Sequence, residues 1–417
     1  MALNIAITGI GMVTPAGLTT ADTWAGVLTG RSYTTPDPLL KHLKTTVSCR
    51  LPPHDFKAAL GALLVRRTDP SARYAIIAAR EALTHARLAP QCWNARRVAI
   101  VLGTASAGIT TVEHSHHVLN TTGPHHVPPS ALPAFLPNMA AGHLSMAVGA
   151  QGPMMTVSAA CASGATAIGH AARLLAQHDC DIAITGGTDA MVTPLCAAGF
   201  SQLGALSTRN HDPAAASRPF DADHDGFVLA EGAAVLILER LPDARRRGAP
   251  ITALIDGYGE CADAHHPTAP QPGGIGAEYA LREALRTADA DESDVDHVNA
   301  HGTSTPLGDA TEAAMLAHTL TGAFTVTSNK GALGHTMGAA GAIEAALTAL
   351  AIRHQTIPPT ANHHKPAADC EDIPIVHGRP QPQSVRLAIS NSIGFGGHNA
   401  TLALRPCTPD LQLSPGH

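Results

Sequence analysis

The segment Thr156-Val157-Ser158-Ala159-Ala160-Cys161-Ala162-Ser163-Gly164-Ala165 holds the group best placed for covalent chemistry. An apolar β-type run ends in a cysteine, and small residues then open an Ala-rich helix predicted over Ala165–Gln177. The thiol therefore stands at a strand-to-helix elbow, over the positive end of a helix. Unpaired backbone N–H groups there favour thiolate over thiol. The small flanking residues let a substrate backbone approach closely. The competing reading is a buried, inert packing cysteine, since free Cys is among the most buried residue types.

Three further segments carry groups that could complete a site. Asn299-Ala300-His301-Gly302-Thr303-Ser304-Thr305-Pro306-Leu307-Gly308-Asp309 puts an imidazole at a strand end beside hydroxyls. Ser328-Asn329-Lys330-Gly331-Ala332-Leu333-Gly334-His335 puts a lysine and a second imidazole at a helix start. Asn391-Ser392-Ile393-Gly394-Phe395-Gly396-Gly397-His398-Asn399 is a glycine-rich turn with one aromatic. Each is weak alone, because a lone His is more often a satisfied core or surface residue and a Gly-rich turn is usually only a turn. No G-x-x-x-x-G-K-[ST] phosphate loop occurs. Among the 25 His, the densest patch is His114, His116, His117, His125 and His126. It lacks a helical i, i+4 pair with an acidic third ligand, so it reads as a solvated loop or interface rather than a metal site.

The elements that must hold these groups follow a repeated plot of strand, glycine turn and helix. In the first half, strands are expected at Asn4–Gly9, Arg97–Leu102, Met155–Ala160, Ile182–Gly186 (closed by Gly186-Gly187) and Ala233–Glu239, with a helix at Ala72–Ala86. In the second half, strands are expected at Ile251–Ile255, Val295–Asn299, Thr325–Thr327 and Val385–Ser390, with helices at Glu278–Ala288 and Gly338–Ile352. Each half has a strand feeding an Ala-rich helix through a special loop, carrying Cys161 in one and Lys330 to His335 in the other. The pattern predicts a duplicated α/β unit with buried parallel strands. Arg245-Arg246-Arg247 followed by Gly248-Ala249-Pro250 marks the seam, which divides the chain into residues 1–248 and 249–405, with a frayed tail over 406–417.

Composition bounds the partners. Only 14% of the 417 residues are charged, against about 25% in typical domains. Such a chain must bury much surface in a large core or against another subunit. With a net charge of −6 and no basic field, nucleic acid and anionic membrane are not expected partners. The eight Cys form no C-x-x-C pairs, which points to a reduced, cytoplasmic chain without a disulfide framework or structural zinc. The N-terminus reads as a strand rather than a signal peptide, and no run of about 18 apolar residues offers a transmembrane helix.

Together and in this order, the motifs resemble the β-ketoacyl-acyl carrier protein synthases, condensing enzymes of the thiolase superfamily, most closely the elongating type II branch. The resemblance runs from Ile5-Ala6-Ile7-Thr8-Gly9-Ile10-Gly11 to Leu404 and includes Ala205-Leu206-Ser207-Thr208-Arg209-Asn210 and Arg218-Pro219-Phe220-Asp221-Ala222-Asp223-His224-Asp225-Gly226-Phe227-Val228. It implies a thiolase-like duplicated βαβαβαββ unit layered α-β-α-β-α. It also implies Cys161 as the nucleophile that takes an acyl chain from a carrier-protein thioester, with the N–H groups of Cys161 and Phe395 as oxyanion hole. His301 and His335 would stabilise the enolate of malonyl as it loses CO2, and Lys330 would orient His301 or its surroundings. Glu312, Glu344 and Asp309 would support these groups. Thr303, Thr305 and Thr268 would contact the pantetheine arm. Phe395 would gate an acyl pocket lined by Phe200, Ser106 and Ile393.

Some positions depart from the family pattern. His398-Asn399 stands where Thr-Asn is frequent, Ile393 where Phe is common, and Ser106 where a bulky aliphatic often forms the pocket floor. Gly204 replaces an arginine that docks the acidic carrier protein, a contact that Arg66 and Arg67 could supply. The segment Thr68-Asp69-Pro70-Ser71 also differs from the usual housekeeping sequence. Drift at tolerant positions explains these departures as well as a dedicated role does. The dedicated role they suggest is the ketosynthase subunit of a type II polyketide synthase. The resemblance implies no cofactor beyond the phosphopantetheine that the carrier brings. Its partners would be an acyl carrier protein and either a second copy or a related chain-length-factor subunit. The alternatives are housekeeping fatty acid elongation, a thiolase (disfavoured because no second cysteine stands in the late glycine turn), and a noncatalytic chain-length-factor-like scaffold, whose kind often replaces the nucleophile by Gln.

Overall fold

The structure, a computed structural model, describes residues 2–407. The expected tail lies, from residue 408 onward, outside the described residues. Ten strands form the main sheet: β1 (Ile5–Val13), β2 (Val98–Gly103), β3 (Met154–Val157), β4 (Ile182–Ala190), β5 (Glu231–Arg240), β6 (Ala253–Ala262), β7 (His297–Asn299), β8 (Thr325–Thr327), β9 (Ala388–Gly394) and β10 (His398–Arg405). Their spatial order is β8-β7-β9-β10-β6-β1-β5-β4-β2-β3. Read outward from the centre, β1-β5-β4-β2-β3 and β6-β10-β9-β7-β8 have the same topology. In each, the first three strands pair antiparallel and the last three pair parallel. The sheet is thus mixed, with the expected buried parallel strands flanking an antiparallel centre. The halves join where β1 meets β6 through Ile5–Ile255, Ala6–Leu254 and Ile7–Ala253.

The helices that matter here are α1 (Pro70–His85), α2 (Ile109–Thr122), α3 (Met139–Val148), α4 (Ser163–Ala176), α5 (Pro194–Gln202), α6 (Ile275–Thr287), α7 (Pro306–Thr319), α8 (Lys330–Leu333) and α9 (Ala340–His354). Helices α4 and α9 pack on each other and touch strands of both halves, while α1 covers β1 and β5 and α6 covers β6 and β10. This is the α-β-α-β-α layering. The repeat is written in two Gly-x-Gly pairs. A Cβ on Gly9 or Gly11 would lie 2.1 or 1.9 Å from a carbonyl oxygen of α1, and one on Gly257 or Gly259 would lie 2.0 Å from a carbonyl oxygen of α6. Only glycine lets these helices rest directly on the strands.

Every residue of α9 from Ala340 to Ile352 is buried. A helix buried on all sides and, Glu344 and Thr348 apart, apolar throughout belongs inside a core, in keeping with the low charge content. Strand β4 runs through Gly186-Gly187 instead of closing there, since Gly186 packs against the Ala234 carbonyl of β5. The histidine patch, expected as a solvated loop or interface, lies on α2 and the turn Pro124–His126, with His114, His116 and His117 exposed. Helices α5 and α7 were not anticipated, although Thr193-Pro194 and Thr305-Pro306 supply proline in the first turn. Among the described residues, no helix is long and apolar enough to cross a membrane.

Candidate active site

The parallel strands deliver their C-terminal ends to one region, the usual place for a site in such sheets. Cys161 follows β3, His301 follows β7, Lys330 follows β8 and Phe395 follows β9. Cys161 comes two residues before α4 begins, so the helix starts earlier than expected. The elbow is strained. Ala160 has φ 48°, a left-handed conformation costing a non-glycine residue about 1–3 kcal/mol. Ser163 holds it there, accepting the Ala159 N–H at 2.9 Å and donating to Ala160 O at 2.6 Å. Gly394 lets the aromatic loop close on this elbow, for a Cβ on it would stand 2.6 Å from Ala159 O.

Cys161 Sγ lies 3.1 Å from His335 Nε2. The His301 and His335 rings meet edge to face at 5.5 Å. His335 is anchored by its backbone to Val228 and Ala230, and the Phe227 ring packs against its edge at 5.3 Å. The His335 Nδ1 has no hydrogen-bond partner. Lys330 ion-pairs with Glu344 and donates to His301 O at 2.5 Å, and its Nζ stands 3.4 Å from His301 Nδ1. An ammonium can only donate, so His301 Nδ1 accepts and the ring proton resides on Nε2. Glu312 takes the backbone N–H groups of His301 and Gly302 at 2.8 and 2.7 Å.

The electrostatics revise one expectation. Burial pushes the Cys161 thiol up to about 12, outweighing the Lys330 charge and the Phe395 N–H, both of which favour thiolate. The resting sulfur is therefore a thiol, because removing it from water costs the anion more than these donors return. Burial, with the Lys330 charge behind it, also holds His301 and His335 well below the usual imidazole value. Both rings are neutral at pH 7, able to donate one proton or accept one.

A cavity of about 410 Å³ opens onto Cys161, His301 and His335, and Phe200, Thr268, Thr303, Thr305, Ile393 and Phe395 line it with them. Glu344 does not line this cavity; it pairs with Lys330, which in turn meets His301. Asp309 is a brace rather than a neighbour of the imidazoles, binding the N–H groups of Phe220 and Ser304 and pairing with His224 at 3.0 Å. Ser106 does not line this cavity, since its amide and hydroxyl both turn to Asp189 at 3.3 Å. Arg66 and Arg67 are exposed at the end of the short helix Ala62–Arg67, also away from the cavity. Phe227 and Asp189 were missed as individuals. The first lies within the segment Arg218–Val228, and the second is an acid inside an otherwise uncharged strand.

Residues 3–244 match the β-ketoacyl synthase N-terminal domain and residues 252–364 its C-terminal domain. The chain belongs to the β-ketoacyl synthase family. It is 39% identical over 409 residues to 3-oxoacyl-[acyl-carrier-protein] synthase 2 of Synechocystis, covering 96% of this ketosynthase and 98% of that protein. It superimposes on the ishigamide ketosynthase/chain length factor with a TM-score of 0.91 at 31% identity, over 97% of this chain and 99% of that one. A type II polyketide synthase acyl-carrier protein in complex with its ketosynthase bound to the hexaketide gives 0.89 at 28% identity, over 97% and 99%. Among the described residues of this β-ketoacyl synthase, Cys161, His301 and His335 are the one His/Cys/acid group whose ligand atoms converge, within 4.8 Å of one another.

Proposed function

We propose that this ketosynthase catalyses decarboxylative Claisen condensation of an acyl group held on Cys161 with malonyl on an acyl carrier protein. The carrying observation is a thiol 3.1 Å from a neutral imidazole, with a second neutral imidazole edge-on to the first. In the first half-reaction Sγ attacks the carrier thioester, and its proton passes by way of His335 to the departing carrier thiol, leaving the imidazole neutral again. The N–H groups of Cys161 and Phe395 receive the developing oxyanion. In the second, malonyl enters with its thioester oxygen between His301 and His335. Loss of CO2 leaves an enolate that their N–H groups stabilise, and its carbon attacks the acyl-Cys161 carbonyl. The β-ketoacyl carrier departs, and the released Cys161 thiolate takes up one proton.

Thr303 and Thr305, whose hydroxyls are 2.9 Å apart, and Thr268 would receive the pantetheine arm, and Phe395 and Phe200 would separate it from the acyl chain. Arg66 and Arg67 remain our proposed carrier contacts. The subunit pairs, we infer, through edge strand β3, where Met154 and Met155 are 51% and 44% exposed and flat apolar edges invite another strand. The partner is a second copy or a chain-length-factor-like chain. The absence of disulfides among the described cysteines suits a cytoplasmic setting.

For the pathway we propose polyketide assembly, supported by the structural neighbour from a type II polyketide synthase. The 39% identity to a 3-oxoacyl-carrier synthase favours fatty acid elongation as the second reading. The test incubates purified protein with acyl- and malonyl-carrier proteins and follows CO2 release and product mass. Folded protein with a titratable Cys161 but neither CO2 nor product refutes the condensation. Full activity as a homodimer on saturated chains refutes the polyketide assignment alone.

A further inference from the structure

One buried carboxylate outside the reaction scheme joins the two halves of the site. Asp189, at the end of β4, is wholly buried, and five donors converge on it. Thr104 Oγ1 donates at 2.8 Å, the Ala105 N–H at 2.8 Å, the Ser106 N–H and hydroxyl at 3.3 Å each, and the Gly338 N–H at 2.7 Å. Four of these come from the loop after β2, in the first half of the chain. The fifth comes from the segment three residues past His335, in the second half.

Both segments lead straight to the reacting atoms. The Thr104 N–H binds Val157 O at 3.0 Å, and Thr104 O lies 3.3 Å from the Ser163 hydroxyl that pins the Cys161 elbow. Gly338 follows Met337, which lines the cavity beside His335. Ala107 and Met337, next to the two tethered segments, sit at φ 53° and 52°, a conformation that ordinary side chains avoid. A Cβ on Gly338 would stand 2.4 Å from both Ala105 N and Asp189 Oδ2. The carboxylate therefore grips backbone on both sides, with no slack in between.

Resting on the condensing reading above, we propose that Asp189 is a positioning residue: its carboxylate sets the distance between Cys161 and His335 by binding the loop under the nucleophile to the loop that carries the imidazole. It touches no substrate. Its effect falls on the turnover step, not on carrier binding, because the residues lining the pantetheine path lie elsewhere.

Asp189→Asn keeps the shape and can keep its amide oxygen on the Ala105 and Gly338 N–H groups, but its NH2 then faces the Ser106 N–H, so the loop after β2 must shift. A misplacement of about 1 Å costs about 100-fold in rate, so kcat per titrated Cys161 should fall roughly 10- to 100-fold. KM for malonyl- and acyl-carrier proteins should stay within about twofold. A merely structural role would lower the melting temperature and the fraction of titratable Cys161, leaving kcat per site unchanged, and that result overturns the proposal. Should Asp189→Asn not fold, Thr104→Val removes one of the five donors. It should lower kcat about two- to fivefold at constant KM, and an unchanged kcat overturns the proposal equally. Inactivity of the unmodified protein would defeat the condensing reading, whereas active protein with indifferent variants defeats only the role of Asp189.

Discussion

Removing the Glu344 carboxylate should unseat Lys330 and, through it, His301. Both residues are 2% exposed, and their ion pair adjoins His301 through Lys330. Lys330 has three contacts, namely Glu344, the His301 carbonyl and His301 Nδ1, and only the first carries charge. The second Glu344 oxygen has no partner at all, so the ammonium is the main compensation for this carboxylate too. Glu344→Ala leaves a buried ammonium facing neutral acceptors, a change worth about 3–5 kcal/mol, or about two to nearly four powers of ten in the folding equilibrium. Glu344→Gln keeps the volume and one carbonyl acceptor and should cost about 1.5–3 kcal/mol. The double variant Lys330→Met, Glu344→Gln removes both charges and should be more stable than Glu344→Ala. Denaturant unfolding gives the stabilities. Acylation of Cys161 and decarboxylation of malonyl-carrier, assayed separately, give the chemistry. Decarboxylation should fall further than acylation, because Lys330 fixes the His301 proton while Cys161 touches His335. A Glu344→Ala cost below about 1 kcal/mol, or a double variant less stable than the single one, would refute the reasoning.

Cys161→Gln should abolish acyl transfer yet keep malonyl decarboxylation, since both imidazoles survive; parallel loss of the two in product assays would contradict the assigned division of labour. With its thiol pushed up to about 12, Cys161 should alkylate with iodoacetamide at a rate that rises about tenfold per pH unit through pH 9, and a plateau near pH 7 would show an activated thiolate instead. Burial lowers and the Asp309 hydrogen bond and charge more strongly raise the His224 pKa. The stabilisation from this pair is then complete below about pH 6.5 and lost as pH rises through the raised value, so melting temperatures should decline over that interval and the decline should vanish in His224→Gln. Gly9→Ala and Gly257→Ala, each forcing a Cβ to about 2 Å from a helix carbonyl, should both destabilise by about 3 kcal/mol or more in denaturant unfolding.

Much of this protein was readable because its chemistry is local in sequence. Cys161, His301, Lys330 and Phe395 each sit just past a strand, with His335 one short helix farther on, and a strand followed by a glycine and small residues is legible from one segment alone. The repeat was also visible, since each half restates the same order of strands and Ala-rich helices. Helix and strand ends slipped by a few residues for the ordinary reason that terminal positions depend on what packs against them. What the linear chain could not decide were quantities set by several distant segments at once. The state of the Cys161 sulfur is one: Lys330 and the Phe395 N–H favour thiolate, but burial outweighs them and keeps the proton. The role of Ser106 is another, because Asp189, 83 positions away, claims its amide and hydroxyl. The mixed pairing of the sheet and the seam between β1 and β6 belong here as well. Residue type and spacing nominate the reacting groups, whereas their protonation and mutual distances come from buried contacts between segments far apart in the chain.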